Sequence, residues 1–219
     1  MKVFLGVGHG GSDPGAVANG VKEKDLNLSI ALACRDELKR HGVEVKLSRV
    51  KDEDDTLSEE IKECNAFAPD LAVDIHNNAG GGDGAEVFHH HGGGKGKTLA
   101  ENILAEIVKV GQNSRGAKVR KNSQGKDYYG FIRETSCPAV IVECAFVDNA
   151  SDLKMLATES DRQKVGRAIA KGILKTLGVE IQGDRLYRVQ VGAYLLRSNA
   201  EDMQKKIKAV GFDAFIVKE

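Results

Sequence analysis

The chain has 219 residues, a length typical of one domain of ordinary size with a small addition. Lys plus Arg and Asp plus Glu both number 32, so the formal net charge is +0. This balance excludes a global basic field that would hold nucleic acid or an anionic membrane. No stretch approaches the ~18 uninterrupted apolar residues of a membrane helix. The apolar run in residues 1–8 is too short for a secretory signal, so we expect synthesis without a signal peptide.

Alternating apolar strands and amphipathic helices predict an α/β fold. Residues 3–7 predict the first strand, and residues 23–41 carry apolar side chains at the 3.6-residue spacing of a helix that packs on a sheet. Thr56-Leu-Ser-Glu59 has the form of a capping box that opens a second helix. Further strands are predicted at 43–47, 70–75, 84–89 and 139–144, and further helices through 99–110 and from 160 to Gly178.

These patterns divide the chain into three segments: a main domain at 1–178, a polar linker at 179–185 and a small unit at 186–219. The small unit has a βαβ pattern, with strands near 187–191 and 212–217 on either side of an amphipathic helix. A unit of this size is below the ~40 residues at which a domain normally stands alone. We therefore expect it to lean on another surface.

Four cysteines lie scattered in apolar segments, at positions 34, 64, 137 and 144. They show no C-x-x-C spacing, and isolated cysteines of this kind are more often buried thiols than zinc ligands or disulfide partners. The sequence therefore favours free buried thiols in a reducing compartment.

Two histidines follow predicted strands at the point where each strand ends. His9 comes after the first strand and His76 after the third. Because functional groups gather at the carboxyl ends of parallel strands, the two side chains are expected to converge. Two histidines and a carboxylate form the ligand set of an open catalytic zinc site, and Glu23 at the start of the first helix is placed to complete it. A lone histidine after a strand is more often a turn residue, and Glu23 could simply favour the positive end of its helix.

An acid inside a continuous apolar strand is a stronger signal. Glu143 lies in Val-Ile-Val-Glu-Cys-Ala-Phe, and burial of a carboxylate is costly unless the group is paired, bound to a metal or protonated. This favours a functional role for Glu143. The segment Gly8-His-Gly-Gly11 could instead be a phosphate-binding turn, but the central histidine and the lack of a G-x-G-x-x-G or P-loop pattern argue against that interpretation.

Four segments carry a family resemblance: Gly8-His-Gly-Gly-Ser-Asp-Pro-Gly-Ala16, Glu23-Lys-Asp-Leu-Asn-Leu28, Asp74-Ile-His-Asn-Asn-Ala79 and Pro138-Ala-Val-Ile-Val-Glu-Cys-Ala-Phe-Val-Asp-Asn149. Their order and content resemble the four motifs of the zinc-dependent N-acetylmuramoyl-L-alanine amidases. The resemblance spans residues 1–178. It implies a mixed, mostly parallel twisted sheet flanked by helices, with peptidoglycan as substrate and Zn²⁺ as cofactor.

The resemblance also implies roles for individual residues. His9, Glu23 and His76 correspond to the zinc ligands, and Glu143 to the catalytic acid and base. Zinc held in this way would activate a water and polarise the scissile carbonyl, while Glu143 would move the proton to the leaving amine. Asn78 and Arg133 are further candidates for substrate contacts.

Two departures from the family pattern lie close to the ligands. The family commonly has Asp-Pro before the Gly-His, where this chain has Gly6-Val7, and commonly Ser before the Ile-His, where this chain has Asp74. Neither removes a ligand. Both are expected to alter hydrogen bonding around the ligands, and through it zinc affinity or rate.

Two other clusters leave alternatives open. His89-His-His91 could bind a second metal, but three Gly follow directly and no carboxylate is expected to be adjacent, so a groove-edge or solvated role is favoured. The basic segment 115–126 is either a solvated loop or a grip on the carboxylates of the substrate.

The small unit resembles the first half of the SPOR repeat, a peptidoglycan-binding module found on amidases of this kind. Its candidate glycan contacts are Gln190 and Tyr194. The alternative is a stabilising cap or a dimerisation element. Since a complete module needs two halves, we expect two chains to contribute one half each, which predicts a homodimer through the C-terminal unit.

The sequence therefore predicts a cell-wall amidase of endolysin or autolysin type that acts on the wall after release or lysis. It is not expected to bind nucleic acid or to insert into a membrane. The alternatives are a zinc peptidase that cuts within the stem peptide and a non-catalytic wall-binding protein. Release of N-terminal L-alanine would distinguish the amidase from the peptidase.

Overall fold

A computed structural model describes residues 1–183 and 190–218 of the chain. It divides into two compact units, Met1–Ile181 and Gln182–Glu219. Among the described residues, no helix combines the length and the apolar character that a membrane crossing needs.

A six-stranded sheet forms the centre of the first unit. Its strands are β1 (Lys2–Val7), β4 (Glu44–Leu47), β5 (Leu71–Asn78), β6 (Ala85–His89), β7 (Ser114–Lys118) and β8 (Ala139–Phe146), and a separate two-stranded hairpin consists of β2 (Val17–Ala18) and β3 (Val21–Lys22). The strand order of the sheet is β4-β1-β5-β8-β6-β7. The first four of these run parallel, β6 is antiparallel to β8, and β7 is parallel to β6. The predicted mixed, mostly parallel sheet is confirmed.

Helices cover both faces of this sheet. The helices of the described residues are α1 (Glu23–Arg40), α2 (Leu57–Phe67), α3 (Gly94–Lys109), α4 (Gly130–Glu134), α5 (Ala150–Lys154), α6 (Glu159–Leu177) and, in the second unit, α7 (Arg197–Ala209). The long helices α1, α3 and α6 pack together on one face of the sheet, and α2 and α4 lie on the other.

Alternation along the strands sorts the side chains between the two faces. On β1, Val3 and Leu5 join the large core under α1, α3 and α6, while Phe4 points to the smaller core under α2 and α4. The same alternation places the even-numbered residues of β5, among them His76, on the α2 and α4 face. His76 therefore lies on the same side of the sheet as Phe4 and Ala72.

Helix boundaries follow local capping. The predicted capping box of α2 is present, with the Thr56 side chain accepting from the Glu59 amide. Gly178 ends α6 in the left-handed conformation, as predicted. The predicted start of α6 at residue 160 is wrong, because Thr158 is the N-cap and forms the capping box with Asp161. The strand β7 was not predicted, since its residues are polar and lie at the edge of the sheet.

The second unit departs from its predicted βαβ pattern. The helix is present as α7, but the residues 212–217 predicted as a strand are not one. A strand needs a neighbour to satisfy its backbone groups, and the predicted neighbour at 187–191 falls mostly on residues 184–189, which lie outside the described part of the chain. Phe212 and Phe215 are exposed.

All four cysteines are free thiols. Cys34, Cys64 and Cys144 are buried, while Cys137 is half-buried.

Candidate metal centre and active site

Glu23 is the point at which the two predicted histidines meet. Its Oε2 lies 3.2 Å from His9 Nε2, and its Oε1 lies 3.0 Å from His76 Nδ1. The three side chains each offer one ligand atom, and these atoms all lie within 4.8 Å of one another. Two imidazoles and one carboxylate in this arrangement fit a zinc ion with an open coordination position.

The backbone around the group explains why the motif is rich in glycine. A Cβ on Gly8 would lie 2.2 Å from His76 Cε1, and a Cβ on Gly15 would lie 2.6 Å from Glu23 Oε2. Both positions therefore need glycine for the close approach of the ligand side chains. His9 itself has φ of 62°, in the left-handed region that ordinary residues rarely adopt.

Backbone and amide donors hold the Glu23 carboxylate in place. Oε2 accepts from the Ala16 amide at 2.9 Å, and Oε1 accepts from the Asn77 amide at 3.1 Å. Asn27, one helical turn further along α1, donates to Oε1 at 3.3 Å and to the Gly8 carbonyl at 2.9 Å. Burial would raise the pKa of Glu23, but the hydrogen bonds with His76 and His9 outweigh it and lower the pKa below its usual range.

Each histidine also contacts a carboxylate on its far side. His9 Nδ1 lies 2.7 Å from Asp13 Oδ2, and His76 Nε2 lies 3.0 Å from Asp74 Oδ2. The hydrogen bond with Glu23, aided by Asp13 and opposed by burial, raises the pKa of His9. These outer carboxylates orient the two rings so that the opposite nitrogens face Glu23.

Glu143 lies next to this group on the central strand. It is the register partner of His76 on β5 and of Glu86 on β6, so the three side chains form a row on one face of the sheet. Burial raises the pKa of Glu143 to about 7. Its Oε2 is buried and has no hydrogen-bond partner among the described residues, as expected of a carboxylate whose partner is a ligand.

The row continues to the edge strand with two cations. Glu86 is buried and forms ion pairs with Arg115 and Lys118 of β7. Burial would raise the pKa of Glu86, but these two ion pairs lower it overall. Sequence reasoning missed this residue, although an acid in the apolar run Ala-Glu-Val-Phe is the same signal that singled out Glu143.

Of the other predicted site residues in the first unit, Asn78 lies beside the row and Arg133 bonds a neighbouring loop. Asn78 lies at the end of β5 and donates to Glu86 Oε1 at 3.0 Å, which puts it beside the row. Arg133 on α4 donates to the carbonyls of Asp127 and Tyr128, a contact that fixes the preceding loop.

Gln190 and Tyr194 belong to the second unit. Gln190 donates to the Gly192 carbonyl at 3.5 Å, and the Tyr194 side chain is exposed.

Arg49 is a buried residue that sequence reasoning missed. Its guanidinium donates to the carbonyls of Val7 and Gly8 and of Lys24, so it ties the end of β1 to the start of α1. A single arginine in a polar stretch gives no signal of this role in the sequence.

The histidine run has a carboxylate beside it, which corrects the premise that none is near. Asp127 Oδ2 lies 2.8 Å from His91 Nδ1 and 3.1 Å from His90 Nε2. His90 Nδ1 accepts from the Gly92 amide at 3.0 Å, so in the neutral ring Nε2 carries the proton and donates to Asp127. The three side chains also bring one ligand atom each within 4.8 Å of one another, so a second metal site and a groove-edge or solvated role both stay predictions.

Comparisons with known proteins agree with this geometry. A family model described as N-acetylmuramoyl-L-alanine amidase matches residues 3–175, and a SPOR-domain model matches residues 161–218. The chain is 36% identical to the N-acetylmuramoyl-L-alanine amidase CwlM of Bacillus licheniformis over 222 residues, which cover 99% of this chain and 85% of the relative. It is 34% identical over 222 residues to the sporulation-specific N-acetylmuramoyl-L-alanine amidase of Bacillus subtilis, with 99% and 84% covered.

A solved structure shares the fold. The catalytic domain of the N-acetylmuramoyl-L-alanine amidase CwlV from Bacillus (Paenibacillus) polymyxa superposes with a TM-score of 0.73 at 29% identity, over 82% of this chain and 99% of that one. The family model matches most of the chain, and the two relatives are matched over 84–85% of their own length, so both comparisons indicate the same family. The chain belongs to the N-acetylmuramoyl-L-alanine amidase family and carries a SPOR domain match at its C-terminal end.

Proposed function

We propose that this amidase is zinc-dependent and hydrolyses the bond between N-acetylmuramic acid and L-alanine in peptidoglycan, with Glu143 as its catalytic residue. The observation that carries the proposal is the position of Glu143, whose buried, unpartnered Oε2 lies on the strand beside His76. His9, Glu23 and His76 would hold the ion. An ion held there would supply a Lewis acid that polarises the scissile carbonyl and makes water a better nucleophile.

Glu143 performs the proton transfers in this mechanism. A pKa of about 7 means that its carboxylate is available near neutral pH and that it can also hold a proton there. It accepts the proton of the attacking water and delivers it to the amine of L-alanine as the amide bond breaks. The products are a glycan strand and a peptide with a free N-terminal L-alanine.

The cations at the end of the row are suited to a negatively charged substrate. Arg115 and Lys118 share one carboxylate, Glu86, so the cluster keeps one excess positive charge at the edge of the sheet. Both side chains are about one-third exposed. We assign them the binding of a stem-peptide carboxylate, with Asn78 fixed beside them through Glu86.

This assignment predicts a substrate-dependent effect. Arg115→Gln should raise KM severalfold for stem peptides that carry a free carboxylate and leave KM for their amidated analogues within about twofold, because only the former lose an ion pair. Hydrolysis of the two peptide series at several concentrations measures the effect. An equal rise of KM for both series would contradict the assignment.

The second unit is proposed to hold the enzyme on the wall, with Gln190 and Tyr194 as contacts. The predicted homodimer also remains a proposal. It is supported by exposed apolar side chains in this unit, which include Leu195, Phe212 and Phe215. Apolar area of this kind marks interaction surfaces.

The test of the catalytic proposal is hydrolysis of purified cell walls, followed by turbidity and by end-group analysis of new N-terminal L-alanine. Glu143→Gln should lower the rate by ~10²–10⁴ and leave zinc content unchanged, since general acid–base catalysis has that magnitude. His9→Ala should instead lower zinc content. The exposed Glu44→Gln serves as the matched control. A Glu143→Gln protein with more than about a hundredth of normal activity would overturn the assignment, and release of other N-terminal residues would favour a peptidase.

A further inference from the structure

Asp74 forms the outer contact of His76 and is itself buried. It lies two residues before His76 on β5, and its side chain points to the same face of the sheet. Asp74 Oδ2 and His76 Nε2 are 3.0 Å apart, while His76 Nδ1 faces Glu23 Oε1 at the same distance. The imidazole is therefore held between two carboxylates, one through each ring nitrogen.

The position of the Asp74 carboxylate depends on the neighbouring strand. Gly6 on β1 is its register partner. A Cβ on Gly6 would lie 2.6 Å from Asp74 Oδ1 and 2.1 Å from Glu60 Oε1 of α2. The carboxylate of Asp74 thus occupies the space into which a side chain at position 6 would project.

The two oxygens around this space support the same interpretation. Asp74 Oδ1 and Glu60 Oε1 are buried, and neither has a hydrogen-bond partner among the described residues. Buried carboxylate oxygens without partners are costly, so packing alone gives no reason to keep an acid at position 74. The contact of Asp74 Oδ2 with His76 does give one.

We propose that Asp74 is a positioning residue that fixes the ring of His76 with Nδ1 toward the metal position, and that the lack of a side chain at Gly6 leaves room for its carboxylate. By accepting a hydrogen bond from Nε2, Asp74 selects the tautomer in which Nδ1 keeps its lone pair for a metal. The inference rests on the proposed zinc site. It adds that the carboxylate that contacts His76 can belong either to position 74 on β5 or to position 6 on the adjacent strand β1.

The experiment measures the zinc affinity of the metal-stripped full chain by competition with a chromophoric chelator. Asp74→Ala should weaken zinc binding by ~10–100-fold, the usual effect of losing an outer carboxylate of a ligand histidine. Far-UV circular dichroism and melting of the metal-free protein report whether the variant folds. Asp70→Ala is the matched control, because Asp70 precedes the same strand and its side chain, among the described residues, accepts a hydrogen bond only from the Lys2 backbone amide.

A transplant variant separates positioning from a merely structural role. Gly6→Asp combined with Asp74→Ser moves the carboxylate to the neighbouring strand, and it should recover at least part of the affinity that Asp74→Ala and Asp74→Ser lose. Gly6→Asp alone should not bind zinc more tightly than the unaltered chain, because its side chain enters space already filled by Asp74.

The outcomes are distinguishable from failure of the proposed function. If the unaltered chain binds no zinc in this titration, the metal site itself is wrong and so is the role of Asp74. If the unaltered chain binds zinc and the zinc affinity of a folded Asp74→Ala protein is within about twofold of it, only the positioning role is wrong. If the combined Gly6→Asp and Asp74→Ser variant recovers no zinc affinity, a carboxylate at position 6 cannot replace the one at position 74, and that part of the proposal is wrong.

Discussion

Glu23 is buried and Glu143 is half-buried with a buried Oε2, yet their surroundings move their pKa values in opposite directions. Glu23 accepts from two backbone amides and contacts two imidazoles, which favour its charged form. Within the described part of the chain no such donor contacts Glu143 Oε2, so burial dominates and the pKa of Glu143 rises to about 7. One acid is thereby kept as an anion suited to a cation, and the other is left able to take and give a proton.

This difference predicts a pH dependence of stability. The raised pKa of Glu143 favours the folded state below pH ~4.5, and this contribution is lost as the pH rises through about 7. A shift of this size corresponds to roughly 3 kcal/mol. In metal-free protein, Glu143→Gln should therefore be more stable relative to the unaltered chain at pH 8 than at pH 5, as measured by urea unfolding. An equal difference in unfolding free energy at the two pH values would contradict the raised pKa.

At the residue scale, the sequence indicates the groups of the site and misses what holds them. His9 follows β1, His76 lies near the end of β5 and Glu143 interrupts an apolar strand, so each carries a local signal. Arg49, Asn27 and the contact of Asp74 with His76 depend on residues that meet only in three dimensions. Their roles follow from the strand register and from the side chains that lie against particular glycines. The sequence shows where the glycines are, but it shows neither the register nor which side chain each glycine faces.

The helix α6 packs closely on its two neighbours because two of its residues lack side chains. A Cβ on Gly166 would lie 2.4 Å from the Ile30 carbonyl oxygen of α1, and a Cβ on Gly172 would lie 2.4 Å from Ile103 Cα of α3. These contacts are with backbone atoms, which cannot move aside as a flexible side chain can. The three-helix layer over the main core is thus held at a spacing that glycine sets.

Gly172→Ala should accordingly destabilise the protein by roughly 1–3 kcal/mol, the usual effect of overpacking. Gly96→Ala on α3 is the matched control, because a Cβ there would meet only the Ala139 carbonyl at 3.7 Å; the control should be neutral or up to ~1 kcal/mol more stable through its higher helix propensity. Chemical unfolding measures both. A Gly172→Ala protein as stable as the control would show that α3 and α6 can separate freely.

At the scale of elements, long periodic segments are predictable and short or polar ones are not. The spacing of apolar residues identifies α1, α3 and α6, and the apolar run identifies β8. The edge strand β7 is too polar to be recognised, and α5 is too short. The predicted strand at 212–217 has the right residues, but a strand forms only where a neighbour pairs with it.

The two units of the chain suggest a division of work at the scale of the whole molecule. Residues 1–181 contain the sheet, the candidate metal centre and Glu143. The second unit contains α7 and the exposed apolar side chains. Cleavage and attachment to the wall should therefore be separable.

A protein ending at residue 181 should hydrolyse a small soluble muramyl peptide at a rate within about threefold of the full chain, and it should cosediment less with purified walls, since avidity from a second binding site is lost.

Light scattering on the same two proteins tests the homodimer. A full chain that is monomeric, or a shortened chain that is still dimeric, would contradict association through the second unit.

β8 is the last strand along the described chain, but it occupies the centre of the sheet, between β5 and β6. The three candidate ligands all precede it, within the first 76 residues. Because β8 pairs with β5 on one side and with β6 on the other, Glu143 lies beside His76 only when the centre of the sheet is complete. A change that disturbs the pairing of β8 should therefore separate Glu143 from the ligand group even though none of the three candidate ligands lies on that strand.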